Sequence, residues 1–223
     1  MVLEPKSLSL ISAKERIYVR GLTLKDLDAC VSLENQTFIP EERCSRKQFK
    51  YRLSTCPELS LGIFTASSFP NPYTGLATEV LLGHAIATKT SSRLVTDACM
   101  ASSPYSHTES GTTVALHSLA ILPSYQRRTL GTTLLAEFIR RSGSRPGIPI
   151  ERIAIIARER LVRFYQRFGF TVAGASGVGF GGGGWRDLVL EFGDEKVYSY
   201  GSIASNPRSF MKSLRSAPMI SDH

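Results

Sequence analysis

Hydrophobic and polar positions along the chain switch between two periods. Residues 17–22, IYVRGL, alternate as a short strand does. Leu27, Cys30, Val31, Glu34 and Phe38 then recur at helical spacing, forming a mostly apolar stripe. Thr23 followed by Asp26, and Ser45 followed by Gln48, each give a capping signature, because the two side chains can satisfy orphan amides at a helix start. A second helix is therefore predicted over RKQFKYRLST, and the two helices are joined by the loop IPEERC (39–44), which carries two acids. Residues 59–66 and 79–90 read as paired strands around the turn-rich SFPNPYTG, and 91–112 as a long polar loop, either functional or disordered.

The second half repeats the alternation of strand and helix. TVALHSLAIL (113–122) is a strand and GTTLLAEFIRRS a helix; RIAIIAR (152–158) is a buried strand and RLVRFYQRF a short helix that Gly169 can stop. FTVAG and WRDLVLEF are strands around ASGVGFGGGG. That glycine run lacks a G-K-[ST] ending and leads into no helix, so it reads as a flexible hairpin loop rather than a phosphate loop. The order β-α-α-β-β-β-α-β-α-β-β predicts an antiparallel meander of strands 2 to 4. Strands 4 and 5, joined through a helix, should be parallel, which makes an α+β fold with a mixed sheet. Residues 14–192 form the expected domain, between a tail at 1–13 and a mobile basic tail at 193–223.

Composition narrows the classes. The chain has 223 residues, 42% of them hydrophobic, enough for one domain with a sizeable core. A net charge of +8 attracts anions of any kind, including phosphorylated cofactors, nucleic acid and acidic membranes. The four cysteines form no C-x-x-C pair and no histidine pair has zinc spacing, so no metal site is expected. The N-terminus lacks a signal-peptide core and no apolar run reaches membrane-spanning length, so a cytoplasmic or nuclear location is expected.

The candidate chemistry begins at 126–132, QRRTLGT, where a basic loop joins a strand to a helix. The first amides of a helix lack intrahelical partners and carry partial positive charge, a setting for phosphate. An ordinary solvated turn is the competing reading of this stretch taken alone. The segment resembles the acetyl-CoA-binding motif [Q/R]-x-x-G-x-[G/A] of the GCN5-related N-acetyltransferases (GNAT): Gln126 and Gly131 match, and Thr129 replaces the first glycine. With CPELSLG (56–62), LHSLAI and LVRFYQRFGF (161–170), the chain from about 17 to 192 resembles the arylalkylamine (serotonin) N-acetyltransferases and the fungal polyamine acetyltransferases.

The resemblance implies a GNAT fold in which strands 4 and 5 splay and the pantetheine of acetyl-CoA enters between them. Leu119, Ala120 and Ile121 would offer strand backbone, and the pyrophosphate would lie on residues Arg127, Arg128, Thr129, Leu130, Gly131 and Thr132. Threonine tolerates positive φ poorly, so either φ stays negative at 129 or the cofactor is held less tightly.

Acetyl transfer to an amine needs a neutral nucleophile. An alkylammonium of pKa ~10 is neutral in about one molecule per thousand at pH 7, a population cost of ~4 kcal/mol. His117 matches the second histidine of the family's H-x-H relay, while Ala115 occupies the first position, and Tyr165 matches the tyrosine near the cofactor sulfur. Both are catalytic by resemblance; packing is the alternative for each. For the amine pocket the resemblance points to Phe38, Ile39 and Pro40 as apolar wall, and Glu41 and Glu42, with Glu58 beyond them, could attract a second cation of a polyamine.

The leading expectation is an acetyl-CoA-dependent acetyltransferase of small primary amines, arylalkylamines or polyamines. A protein or peptide acetyltransferase and a non-catalytic acetyl-CoA sensor are the alternatives. A nucleic-acid partner is not expected, because the clustered arginines lack aromatic interleaving and no helix-turn-helix or finger spacing occurs; neither is a membrane partner. Ser209 and Ser216 follow arginines in the tail and could dock a partner once phosphorylated.

Overall fold

A computed structural model describes residues 16–70, 77–101, 106–144 and 149–193. The tail at 1–13, and the basic tail beyond Gly193 with Ser209 and Ser216, lie outside the described residues. Among the described residues seven strands form one sheet: β1 (Arg16–Gly21), β2 (Ser60–Pro70), β3 (Ala77–Thr90), β4 (Thr113–Ile121), β5 (Arg152–Ala157), β6 (Thr171–Ala175) and β7 (Arg186–Glu191). Their order is β1-β2-β3-β4-β5-β7-β6. All neighbours are antiparallel except β4 and β5, as the single helical crossover between those two requires.

Both capping signatures are realised. Thr23 and Asp26 cap a 3-10 turn that leads into α1 (Leu27–Thr37), and Ser45 and Gln48 close a reciprocal box at the start of α2 (Arg46–Thr55). These helices cover one face of the sheet, where Leu27, Cys30, Leu33, Phe49 and Leu53 pack on Phe64, Leu81 and Ile86. The other face is covered by α4 (Leu130–Gly143), whose Leu134, Leu135, Phe138 and Ile139 join Leu61, Ile63, Leu82, Leu116 and Ile153. Its outer face carries Glu137 paired with Arg140 and Arg141 at 2.7 Å each.

The long polar segment after β3 contains a short helix that hydrophobic periodicity does not announce, α3 (Asp97–Met100), capped by Thr96. Val95, Cys99 and Met100 form a small third core with Ala115, Ala154 and Val178. The end of this segment is tied back to β3: Lys89 pairs with Glu109 at 2.7 Å, and the Lys89 amide donates to His107 Nδ1 at 3.1 Å.

The feature that positions the site is an irregularity in β4. Leu116 pairs with Ala87 and Ser118 with Ile86, so His117 is an extra residue, a β-bulge. Before it β4 pairs with β5 for three residues, Thr113–Ala115 against Arg152–Ala154. Beyond it β4 stays with β3 while β5 stays with β7, and a gap opens between them. The short α5 (Val162–Gln166) follows β5, and Gly169 at φ 89° stops the turn after it.

Close approach of β3 holds the bulged end of β4 in place. A Cβ on Gly83 would lie 2.6 Å from the Ala120 carbonyl oxygen, which is backbone and cannot rotate away. Gly83→Ala is expected to lower unfolding free energy by about 1–3 kcal/mol, the usual range for overpacking, as read by denaturant melts.

Candidate active site

The β4–β5 gap gathers side chains from distant parts of the chain. Leu116, His117, Ser118 and Leu119 line it from β4, Ile155 to Ala157 from β5 with Arg158 just beyond, Tyr165 from α5, Glu34 from α1 with Phe38 at its C-cap, and Met100 from α3.

The hydrogen-bond network fixes the tautomer of His117. Thr88 Oγ1 donates to the Ser106 carbonyl at 3.1 Å, so its one proton is spent. At 2.7 Å from Thr88 Oγ1, His117 Nε2 must therefore be the donor. The Nδ1 lone pair is left beside Met100 Sδ at 3.2 Å, a thioether that has no proton to give. Met100 is itself anchored, its carbonyl receiving Gln48 Nε2 at 2.8 Å and Arg52 Nη2 at 3.0 Å. Burial, and then the charge of Arg52, hold the His117 pKa well below its ordinary value. His117 is thus a neutral imidazole whose unprotonated Nδ1 lies against the Met100 thioether.

Tyr165 lies on the other wall, 6% exposed and packed edge-on to Phe164 and Phe170. Burial raises its pKa, so the phenol keeps its proton.

At the joint, Gln126 Nε2 donates to the Ile121 carbonyl at 3.0 Å and ties the loop to the end of β4. Arg127 and Thr129 both adopt positive φ, 59° and 67°, so the alternative of a negative φ at 129 is overturned. Left-handed backbone costs an L-residue about 1–2 kcal/mol; the loop accepts it twice. None of the amides of 127–132 has a backbone acceptor among the described residues, and no side chain caps α4. A Cβ on Gly131 would sit at ordinary distance from Ile121 and Phe164, 3.7 and 4.0 Å, so the protein's own packing tolerates a side chain there. Leu119 lines the gap, whereas Ala120 and Ile121 are buried farther along β4.

On the amine side, Phe38 and Glu42 line the gap, while Pro40 and Glu41 are exposed outside the lining and Glu58 lies in the turn before β2. Glu42 is not free to attract a cation: Arg158 Nε and Nη2 both donate to its Oε1, at 2.9 and 2.5 Å. Arg158 also holds the Gly183 and Gly181 carbonyls at 2.6 and 3.2 Å and stacks 3.7 Å over Trp185. The glycine run is the β6–β7 connection, as expected for a hairpin, and this arginine pins its tip over the gap, where Phe180 and Trp185 add aromatic wall.

Sequence reasoning assigned no site role to Glu34, His84, Ser118, Thr88, Met100, Arg158, Phe180 or Trp185. Glu34 had a signal, being an acid on the apolar stripe of α1. It is 2% exposed, and its Oε2 lies 2.9 Å from Ser118 Oγ and 3.0 Å from His84 Nε2. The others depend on contacts between residues far apart in the chain.

The chain was compared with known proteins. The model of the acetyltransferase (GNAT) family matches residues 41–170. Serotonin N-acetyltransferase of Macaca mulatta is 28% identical over 165 residues, 73% of this chain and 72% of that protein. The Homo sapiens serotonin N-acetyltransferase is 27% identical over 73% of this chain and 71% of its own length. Among solved structures, the loading GNATL domain of CurA from Lyngbya majuscula aligns with TM-score 0.63 at 16% identity, over 79% of this chain and 98% of that one. Arabidopsis thaliana Naa50 in complex with the bisubstrate analogue CoA-Ac-MVNAL aligns with TM-score 0.54 at 15% identity, over 79% and 99%. The structural likenesses establish the fold.

The depressed His117 pKa has a consequence for stability. The unfolded chain takes up a proton at this residue near its ordinary pKa of about 6.5 while the folded protein does not, so stability is lost as pH falls from there toward the folded value. The unfolding free energy of the wild type relative to His117→Ala should decline as pH is lowered from 7.5 to 5.5, as measured by denaturant melts at each pH.

Proposed function

The chain belongs to the GNAT acetyltransferase family, and we propose that it transfers the acetyl group of acetyl-CoA to a small primary amine of the arylalkylamine class. The observation that carries this reading is one gap with an unprotonated imidazole nitrogen on one wall, His117 Nδ1 beside the flexible Met100 side chain, and a protonated phenol on the other, Tyr165. The residues present fit the acyl donor. The unclaimed amides of 127–132, flanked by Arg127 and Arg128, would hold its pyrophosphate, and Leu119, Ala120 and Ile121 would border its pantetheine. Gly131 leaves room for an anion to approach the backbone. Bound there, acetyl-CoA supplies an activated acyl group as a thioester.

His117 is weakly basic, which suits one proton better than another. An alkylammonium of pKa ~10 would not yield its proton readily to such a base. That proton goes to water before attack, leaving the neutral amine. Once its nitrogen has bonded to the acyl carbon it is positively charged and carries two protons; one stays on the amide, and the other is far more acidic, so a neutral Nδ1 can take it. Thr88 orients the ring by accepting the Nε2 proton. Tyr165 holds a proton at its phenol oxygen for the departing sulfur, whose basicity also rises in a dry gap.

For the acceptor, Phe38, Phe180 and Trp185 supply aromatic wall, and the pairing of Glu42 with Arg158 removes the carboxylate that a diamine's second cation would use. Both features favour an aryl group over a polyamine.

The test is free-thiol release from acetyl-CoA with tryptamine, phenylethylamine, putrescine, spermidine and a lysine peptide. Tryptamine and phenylethylamine should give the highest kcat/KM; release with the peptide or the polyamines alone would overturn the reading. Tyr165→Phe should lower kcat by about 10²-fold or more, the scale of positioned acid–base groups, while leaving the Kd of acetyl-CoA within about twofold. Parallel losses in kcat and acetyl-CoA affinity would assign the tyrosine to packing.

A further inference from the structure

Glu34 ties α1 to two strands and to the loop before α2, and it also lines the gap. From α1 it accepts the Cys44 amide at 2.9 Å on Oε1, and on Oε2 it meets Ser118 of β4 and His84 of β3. His84 is fully buried, with Phe49 packed edge-on to its ring at 5.4 Å. Its Nε2 also lies 2.9 Å from Ser118 Oγ, and its Nδ1 has no hydrogen-bond partner. The partners of the Glu34 carboxyl are the Cys44 amide, the Ser118 hydroxyl and the His84 ring, with no lysine or arginine paired to it among the described residues. A buried carboxylate without a lysine or arginine partner favours a cation that can reach it. Glu42, the other acid lining the gap, is already occupied by Arg158. Ser118, which fixes Glu34 Oε2, adjoins His117 in β4.

On the footing of the amine-acetyltransferase reading, we propose that Glu34 anchors the ammonium group of the incoming amine and so sets the preference of the site for cationic acceptors. About 999 in a thousand alkylamine molecules arrive protonated at pH 7. A carboxylate on the gap wall binds that majority form beside the base, the aromatic wall takes the aryl group, and the ammonium sheds its proton to water before the nitrogen attacks. Ser118 and His84 are positioning residues: they hold the carboxyl group in place on the gap wall.

The experiment compares tryptamine with its neutral isostere indole-3-ethanol, the first as substrate and the second as competitive inhibitor. The wild type should favour the cation by about 10-fold or more, the scale of a charge-assisted hydrogen bond. Glu34→Gln keeps the shape and an acceptor for Cys44. It should raise the tryptamine KM about 10- to 100-fold, leave the inhibition constant of the alcohol within about threefold, and leave the KM of acetyl-CoA unchanged. Ser118→Ala retains the carboxylate and should retain the preference for the cation. If the cluster is only a clamp, both variants weaken amine and alcohol alike, and the assignment is overturned. Should Glu34→Gln lack a cooperative melt, the wild type still decides: equal binding of amine and alcohol overturns the role of Glu34. Wild type that turns over tryptamine without preferring it to the alcohol sinks this assignment alone. Wild type that acetylates no arylalkylamine sinks the functional reading with it.

Discussion

The site depends on two parallel strands that pair for three residues and then part. A parallel pair buried under helices normally continues its ladder. Here the extra residue at 117 re-aims β4 after Ala115, while β5 follows β7. Parting forfeits ladder hydrogen bonds and opens strand backbone toward a gap. The loss is contained because each strand keeps a full partner on its other side, β3 for β4 and β7 for β5. The same bulge presents His117 to the opening it creates, and α4, entered at the end of β4, points its unclaimed amides toward the same end of the sheet.

The electrostatics divide into an outside and an inside. The net charge of +8 favours an anionic ligand over the whole surface. Inside the gap the charges are arranged individually: Arg158 neutralises Glu42 and pins the glycine hairpin, and burial, with the charge of Arg52 behind Met100 added to it, depresses the His117 pKa. On the proposed reading a positive exterior draws in the acyl donor while a carboxylate within retains the amine, because screening in water confines each effect to its own neighbourhood.

Elements carried by local signals were legible in the sequence. The two capping boxes, the amphipathic stripe of α4 and the strand pattern around the crossover gave the element order and the parallel pair. The helix α3 was not legible, since four residues with a cysteine and a methionine make no periodic face. Its stability comes from Ala115, Ala154 and Val178, contributed by three strands or loops elsewhere. The gap was legible only through the resemblance, and its lining less so. Arg158 and Glu42 are 116 residues apart, and Glu34 and Ser118 are 84 apart; no spacing rule connects them. Thr129 misled for a related reason: its propensity opposes positive φ, but the turn between Gln126 and α4 demands it, and tertiary constraint prevails.

The position of Ala115 follows from the same packing. The H-x-H pattern would place a second imidazole there, but Ala115 is fully buried opposite Ala154, and Val95, Cys99, Met100 and Val178 fill the space around it. An imidazole at 115 would displace this small core. Met100, which belongs to it, is fastened through its carbonyl to Gln48 and Arg52 of α2 and lays its sulfur against His117 Nδ1. The alanine and the methionine are thus two sides of one arrangement. The chain gives up a second histidine and gains an apolar cap on the first, and Thr88 alone fixes which nitrogen is basic. A lone, desolvated imidazole is a poor store for a proton but a competent acceptor from an acidic one. On the proposed reading, holding the protonated amine and removing the excess proton after attack therefore fall to different residues.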